Sequence, residues 1–286
     1  MADALRVDKL CKTYPGFALK DVSFSLPEGY IMGFVGQNGA GKTTTIKCVL
    51  NMLAHEGGVI EVLGRDAVTD DVAVKQDVGV VFDQPFYPPS WTVAQVGQAL
   101  QPFYSRWDTA LFSDYIDRFD LPRAKKVREL SRGMSMKLML ATALSHHARL
   151  LILDEPTSGL DPVARDDLLD VLADYISGGT SSVLFSTHIT TDLSRIADYI
   201  TIIDAGRVVF TGAKDDLADT YRMIHGGPGQ LSGTTRQHAI GLRMTETGFS
   251  ALIRTTDARS LPSAITQEAP SIDDVLIHIA KQRNAR

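Results

Sequence analysis

Apolar residues fall in short unbroken stretches through the middle of this chain. Residues 30–35, 150–153, 182–185 and 199–203 are dominated by them. Runs of that length suit strands buried on both faces of a parallel sheet. Between them the spacing lengthens to the helical repeat, over 43–53, 162–176 and 190–197. Pro162 opens the second of these helices, where its missing N–H costs nothing. Residues 22–26 instead alternate apolar and polar, as a strand with one wet face does, and Pro27-Glu28-Gly29 turns the chain after them. Residues 58–63 and 78–82 read as further strands, and 92–144 as mainly helical. The alternation predicts an α/β fold: a mostly parallel core sheet between helices, an antiparallel β side sheet, and a helical subdomain over about 90–145.

Near residue 226 the pattern breaks. Gly226, Gly227, Pro228, Gly229, Ser232 and Gly233 crowd together as in a linker. A hairpin over 239–244 and 249–253 follows, then a closing helix. Ser271 and Asp274 form a capping box for that helix, and Ile272, Val275, Leu276 and Ile279 share one of its faces. The expected organisation is a domain over 1–222 and a small α+β appendage over 223–286.

Composition narrows the class. Of 286 residues, 44% are hydrophobic and 22% charged, a globular balance. The net charge of −5 argues against a nucleic-acid partner. Two cysteines, Cys11 and Cys48, are too few for a disulfide framework and read as reduced thiols. The first residues carry no apolar signal segment, and no run reaches the roughly 18 apolar residues of a membrane span. The expectation is a soluble chain. Any pore it serves would belong to another polypeptide.

Residues 36–43 carry the chemistry. Gly36-Gln37-Asn38-Gly39-Ala40-Gly41-Lys42-Thr43 fits G-x-x-x-x-G-K-[ST] between a predicted strand and a predicted helix, with Thr44 next on the helix. Glycines there let successive N–H groups curl around a phosphate chain, and the helix N-terminus adds partial positive charge. Lys42 would reach the outer phosphates, and the Thr43 hydroxyl would take one position on Mg²⁺. The ligand expected is ATP with Mg²⁺.

The run 150–153 ends in Asp154 and Glu155. A parallel strand presents its C-terminal end to the ligand crevice. Asp154 there would hold Mg²⁺ through water, and Glu155 would polarise the attacking water.

With these motifs the chain resembles the ATPase subunit of an ATP-binding cassette (ABC) transporter, over about residues 5–220. Leu130-Ser131-Arg132-Gly133-Met134 stands where that family has its signature, usually Leu-Ser-Gly-Gly-Gln. Ser158-Gly159-Leu160-Asp161 looks like its D-loop, and Ser186-Thr187-His188 like its switch histidine. Tyr14 matches the aromatic that stacks on adenine. The resemblance implies a head-to-tail dimer with a second cassette, identical or paralogous. Ser131 and Gly133 would contact the nucleotide held at the other chain's Lys42, and Asp161 would bridge the two sites. It also implies a multi-span membrane permease as partner and a place on the cytoplasmic face of the cell membrane. By residue chemistry alone, Ser131 reads equally as a helix N-cap, and Tyr14 as a surface aromatic.

Two departures matter. Arg132 and Met134 replace the usual glycine and glutamine of the signature. A side chain at 132 reads either as a restriction on the backbone or as a charge brought near phosphate. The variant form resembles a branch of ABC-2-type exporter ATPases. At the family's Q-loop, either Asp83 or Gln84 would sense metal and water. Residues 85–91 that follow, rich in proline and aromatics, read either as a dock for the membrane subunit or as a locally packed loop. Phe103, Trp107 and Phe112 read as core, and His146-His147, lacking metal spacing, as helix surface. The leading expectation is an exporter ATPase. The alternatives are a soluble ABC ATPase acting on ribosomes or nucleic acid, and a cassette that binds nucleotide without hydrolysing it.

Overall fold

The computed structural model describes residues 2–284. The chain divides into two compact units, Met1–Val208 and Val209–Arg286.

The first unit opens with β1 (Asp3–Tyr14), β2 (Phe17–Pro27) and β3 (Ile31–Val35), then α1 (Lys42–Val49). β4 (Gly57–Val62), β5 (Arg65–Asp66), α2 (Asp71–Asp77) and β6 (Val78–Val81) follow. Three helices come next: α3 (Val93–Leu100), α4 (Thr109–Arg118) and α5 (Arg132–Leu144). β7 (Leu150–Asp154), α6 (Pro162–Ile176), β8 (Ser182–Thr187), α7 (Thr190–Ile196) and β9 (Tyr199–Asp204) complete it.

β1 pairs antiparallel with β2 and with β4, and β4 with β5, which builds the side sheet. β9, β3, β8, β7 and β6 lie side by side in that order and all run parallel. The residues of β3, β7 and β8 are buried along their whole length. Phe24 of the side sheet stacks on Phe34 of β3, ring centroids 5.1 Å apart, in the core between the sheets. Register decides where the chemistry falls. Val35 sits beside Thr187, and Asp154 beside Ser186, so β3, β7 and β8 end on one edge. The loops after those three strands therefore face a common crevice.

β10 (Arg207–Ala213) carries the division between the units. In the second unit come α8 (Asp216–Thr220), β11 (Tyr221–Gly226), α9 (Gly233–His238), β12 (Ile240–Thr245) and β13 (Gly248–Arg254). α10 (Thr255–Ala258), β14 (Thr266–Glu268) and α11 (Ile272–Asn284) close it. Its sheet, ordered β12-β13-β11-β14, is antiparallel. Ser271 caps α11: the Asp274 N–H donates to its hydroxyl (3.1 Å), and the Ser271 N–H donates to the Asp274 carboxylate (2.9 Å).

Several sequence expectations need correction. The division falls earlier than residue 222, because β11 pairs with β13 and β14 and belongs to the second unit's sheet. The glycine cluster after it is not a linker. A Cβ on Gly226 would stand 2.6 Å from the Phe249 ring, and one on Gly248 would collide with the Gly226 carbonyl. Glycine there permits close packing rather than flexibility. His146 is buried, not on a helix surface, and stacks on Tyr104 at 4.0 Å. Phe103 is 72% exposed, whereas Phe112 is core. Of the aromatics after β6, Phe86 is exposed, and Tyr87 turns inward to share a 2.6 Å hydrogen bond with Thr142.

Candidate active site

The phosphate loop is shaped by what surrounds it. A Cβ on Gly36 would strike the Ile203 carbonyl of β9, so no other residue fits between the strands there. Gly41, at φ 118°, is the N-cap of α1, and a Cβ on it would stand 2.7 Å from Leu19. Only glycine takes that backbone freely. Lys42 is nearly buried, and its ammonium donates to the Gly36 carbonyl at 2.7 Å. A cavity of about 500 Å³ opens over the loop, lined by Gly16, Phe17, Asn38, Gly39, Gly41, Lys42, Thr43, Thr44 and Glu155. Of the other loop residues, Gln37 is exposed and Ala40 buried.

Glu155 reaches this cavity from the end of β7. Its Oε1 lies 3.1 Å from Lys42 Nζ and its Oε2 lies 2.7 Å from His188 Nδ1. The backbone at Glu155 has φ 53°, left-handed and unusual for a residue with a side chain. It is held by its N–H, which donates to the Ser186 carbonyl at 2.9 Å. Strain of that kind costs about 1–3 kcal/mol and persists where neighbours over-determine it.

Asp154 is buried beside it. The Ser186 hydroxyl donates to its Oδ1 at 3.0 Å, and the Thr43 hydroxyl is near enough to favour its charged form. Burial pushes its carboxyl above the usual carboxylate range, and the two hydroxyls only partly counter this. A buried carboxylate with no cation in direct contact is costly unless something positive joins it. Thr43 and Asp154 are neighbouring hard oxygen donors, a set that suits Mg²⁺ completed by phosphate oxygens.

The remaining predicted residues lie away from the cavity. Ser131 caps α5, accepting from the Met134 N–H at 3.2 Å, with Gly133 beside Ala164 of α6. Asp161 caps α6, accepting from the Val163 and Ala164 N–H groups at 3.0 and 2.9 Å. The bond from Ala164 is the largest cause of its lowered pKa. Asp83 and Gln84 follow β6, are exposed, and do not line the cavity. Tyr14 is 39% exposed under the Lys12 ammonium, 5.6 Å from its ring centroid, and does not line the cavity either.

Two residues have site roles that the sequence motifs do not assign to them. Phe17, the cross-strand partner of Tyr14, lines the cavity. Its signal was an aromatic just past a turn glycine. Ser186 orients Asp154 from the neighbouring strand. A polar residue closing an apolar run was the hint.

A lysine-bearing phosphate loop facing an acidic strand end, on one edge of a parallel sheet, defines a P-loop nucleotide-hydrolysing domain. Known proteins agree. The ABC transporter family profile matches residues 19–158. The daunorubicin resistance ATP-binding protein DrrA3 of Streptomyces coeruleorubidus is 32% identical over 288 residues, covering 96% of this chain and 88% of that protein. The Nod factor export ATP-binding protein I of Rhizobium etli is 28% identical over 294 residues, covering 96% and 93%. A solved ATP-binding subunit of an ABC transporter superposes with a TM-score of 0.68 at 27% identity, over 75% of this chain and 91% of that one. The chain belongs to the ATP-binding subunits of ABC transporters, an ATP-hydrolysing family. Among the described residues no helix is long and apolar enough to cross a membrane.

Proposed function

We propose that this chain drives a membrane exporter, hydrolysing ATP as one half of a head-to-tail pair of cassettes bound to a multi-span permease at the cytoplasmic membrane face. The observation that carries the reading is the cavity over the phosphate loop, where Glu155 stands between Lys42 and His188. Glu155 accepts a proton from the attacking water, and His188 holds the carboxylate in place. Lys42 and the loop N–H groups bind the outer phosphates and stabilise the charge that develops on them. Thr43 and Asp154 would hold Mg²⁺, which neutralises phosphate charge when bound. Ser131 and Gly133, at the exposed start of α5, are free to meet a nucleotide held by a second cassette, with Asp161 between the two sites. Export, rather than import, is supported by the relatives named for drug resistance and Nod factor export.

The test is a pull-down of the tagged chain from gently solubilised native membranes, with mass spectrometry. A permease recovered in near-equal amount is the expected result. Ribosomal proteins, without any membrane protein, would move the reading to a soluble ATPase.

A further inference from the structure

Helix α5 begins with Arg132, one of the two residues by which this signature departs from the family's usual form. A cation in the first turn opposes the helix dipole, so Arg132 is not there to stabilise α5. Its guanidinium makes no hydrogen bond or ion pair among the described residues. What it touches is Gly159. From the point where a Cβ on Gly159 would sit, Arg132 Nε is 3.1 Å away, and Cδ and Cζ are each 3.2 Å away. Three near-equal distances mean that the base of the guanidinium lies across the glycine. Gly159 has φ 69°, so its backbone is turned to receive that contact and its missing side chain makes the room.

The contact is the first of a row. Leu160 and Ala164 close on Gly133 at 4.0 and 3.7 Å from a notional Cβ, and Lys137 pairs with Asp167 at 2.9 Å. The start of α5 is thus seated on the connector between β7 and α6. That connector begins at Glu155 and is made of overlapping turns. The Ser158 N–H donates to the Glu155 carbonyl at 3.1 Å, and the Leu160 N–H donates to the Thr157 carbonyl at 3.2 Å. A displacement at Gly159 therefore reaches Glu155 within two hydrogen-bonded steps. Glu155 is the residue least able to absorb it, because its own backbone is already left-handed.

We propose that Arg132 is a positioning residue: by lying across Gly159 it fixes the connector 155–161 and so keeps the Glu155 carboxylate aimed between Lys42 and His188. This deepens the hydrolytic reading above and rests on it. It also gives the variant signature a purpose within its own chain, tying the segment offered to a second cassette to the carboxylate of its own site.

Hydrogen exchange on the full chain without nucleotide tests the contact. In Arg132→Ala the Ser158 and Leu160 amides exchange at least about tenfold faster, while residues 36–43 and α1 keep their protection. Steady-state kinetics test the consequence. Arg132→Ala lowers kcat about tenfold or more and leaves the KM for ATP within about twofold, because the phosphate loop is untouched. Arg132→Lys keeps the charge and loses the planar group, so packing predicts an intermediate rate and a charge role predicts a full one. Gly159→Ala slows the wild-type background, and in Arg132→Ala it adds less than the product of the two separate effects. Unchanged exchange at Ser158 and Leu160, an unchanged kcat, or simple multiplication of the two effects overturns the proposal. A wild-type chain without turnover, matched by Glu155→Gln, would sink the hydrolytic reading itself. The exchange data would then decide the contact alone.

Discussion

Lys42 and Glu155 face each other across the phosphate loop, Nζ to Oε1 at 3.1 Å, with both side chains largely out of water. The ammonium that should meet phosphate is thus also paired with a carboxylate of its own chain. A nucleotide has to take Lys42 from Glu155, and that competition costs affinity. Glu155→Gln removes the competing charge together with the base. It should bind ATP more tightly, by about tenfold for each 1.4 kcal/mol of lost competition, while turnover falls about 10²- to 10⁴-fold. Equilibrium titration with a fluorescent ATP analogue and a phosphate-release assay measure the two effects. Looser binding in this variant would mean that the contact organises the loop instead of competing for it.

Asp154 illustrates a site that costs stability. Its folded-state pKa is raised, chiefly by burial. An acid shifted this way binds its proton better folded than unfolded, so stability falls as pH rises through and above the ordinary carboxylate range. Asp154→Asn removes that penalty and keeps an oxygen for the Ser186 hydroxyl. At pH 7.5 the variant should melt higher, by about 2–4 °C per 1 kcal/mol recovered, and lose Mg²⁺-dependent turnover. The gain should shrink as pH is lowered towards 4. Thermal melts across that range check it, and a lower melting temperature at pH 7.5 would contradict the assigned cost.

His146 predicts acid sensitivity of a different origin. Burial against Tyr104 pushes its imidazole down to about 4, with the Arg106 and His147 charges adding repulsion. The unfolded chain takes up this proton near 6.5 and the folded one refuses it. Stability is therefore lost as pH falls from about 6.5 to 4, by roughly 3 kcal/mol at about 1.4 per pH unit. His146→Phe keeps the ring stack without the titration. Urea unfolding at pH 7 and pH 5 should show a smaller drop in that variant than in the wild type.

The parts of this molecule that were legible in the sequence are those fixed by local chemistry. The phosphate loop announces itself by the spacing of its glycines and lysine between an apolar run and a helical one, although the contacts that require glycine at 36 and 41 come from Ile203 and Leu19, far along the chain. Helix α6 starts at Pro162 after an Asp161 cap, and both signals are adjacent in the chain. Strand β1 was harder. It is irregular, with Lys9 at φ 49° and register shifts against β2, so its apolar positions do not alternate cleanly. The burial of His146 depends on Tyr104, which arrives from the segment between α3 and α4. The glycines near 226 carried a linker's composition, but their meaning lies in the Phe249 ring across the strand pair. At the site, the Asp154 to Ser186 bond joins residues of adjacent strands and follows only from register.

Tyr14 and Phe17 close the turn between β1 and β2 as cross-strand partners, yet only Phe17 lines the cavity. The aromatic nearest the family pattern is Tyr14, which instead lies half in water beneath Lys12. Phe17 also presses on the loop itself, its ring tip 3.0 Å from where a Cβ on Gly41 would be. Stacking of a base on an aromatic ring is worth about 1–3 kcal/mol, which is roughly five- to 150-fold in affinity. If the ring lining the cavity receives the adenine, Phe17→Ala weakens ATP binding by that factor and Tyr14→Ala by less than about threefold. Each variant is to be compared for ATP and for inorganic triphosphate. A stacking role weakens ATP alone. Equal weakening of both ligands would mean that Phe17 acts by shaping the phosphate loop through Gly41. A larger loss in Tyr14→Ala would restore the family's usual aromatic to the base.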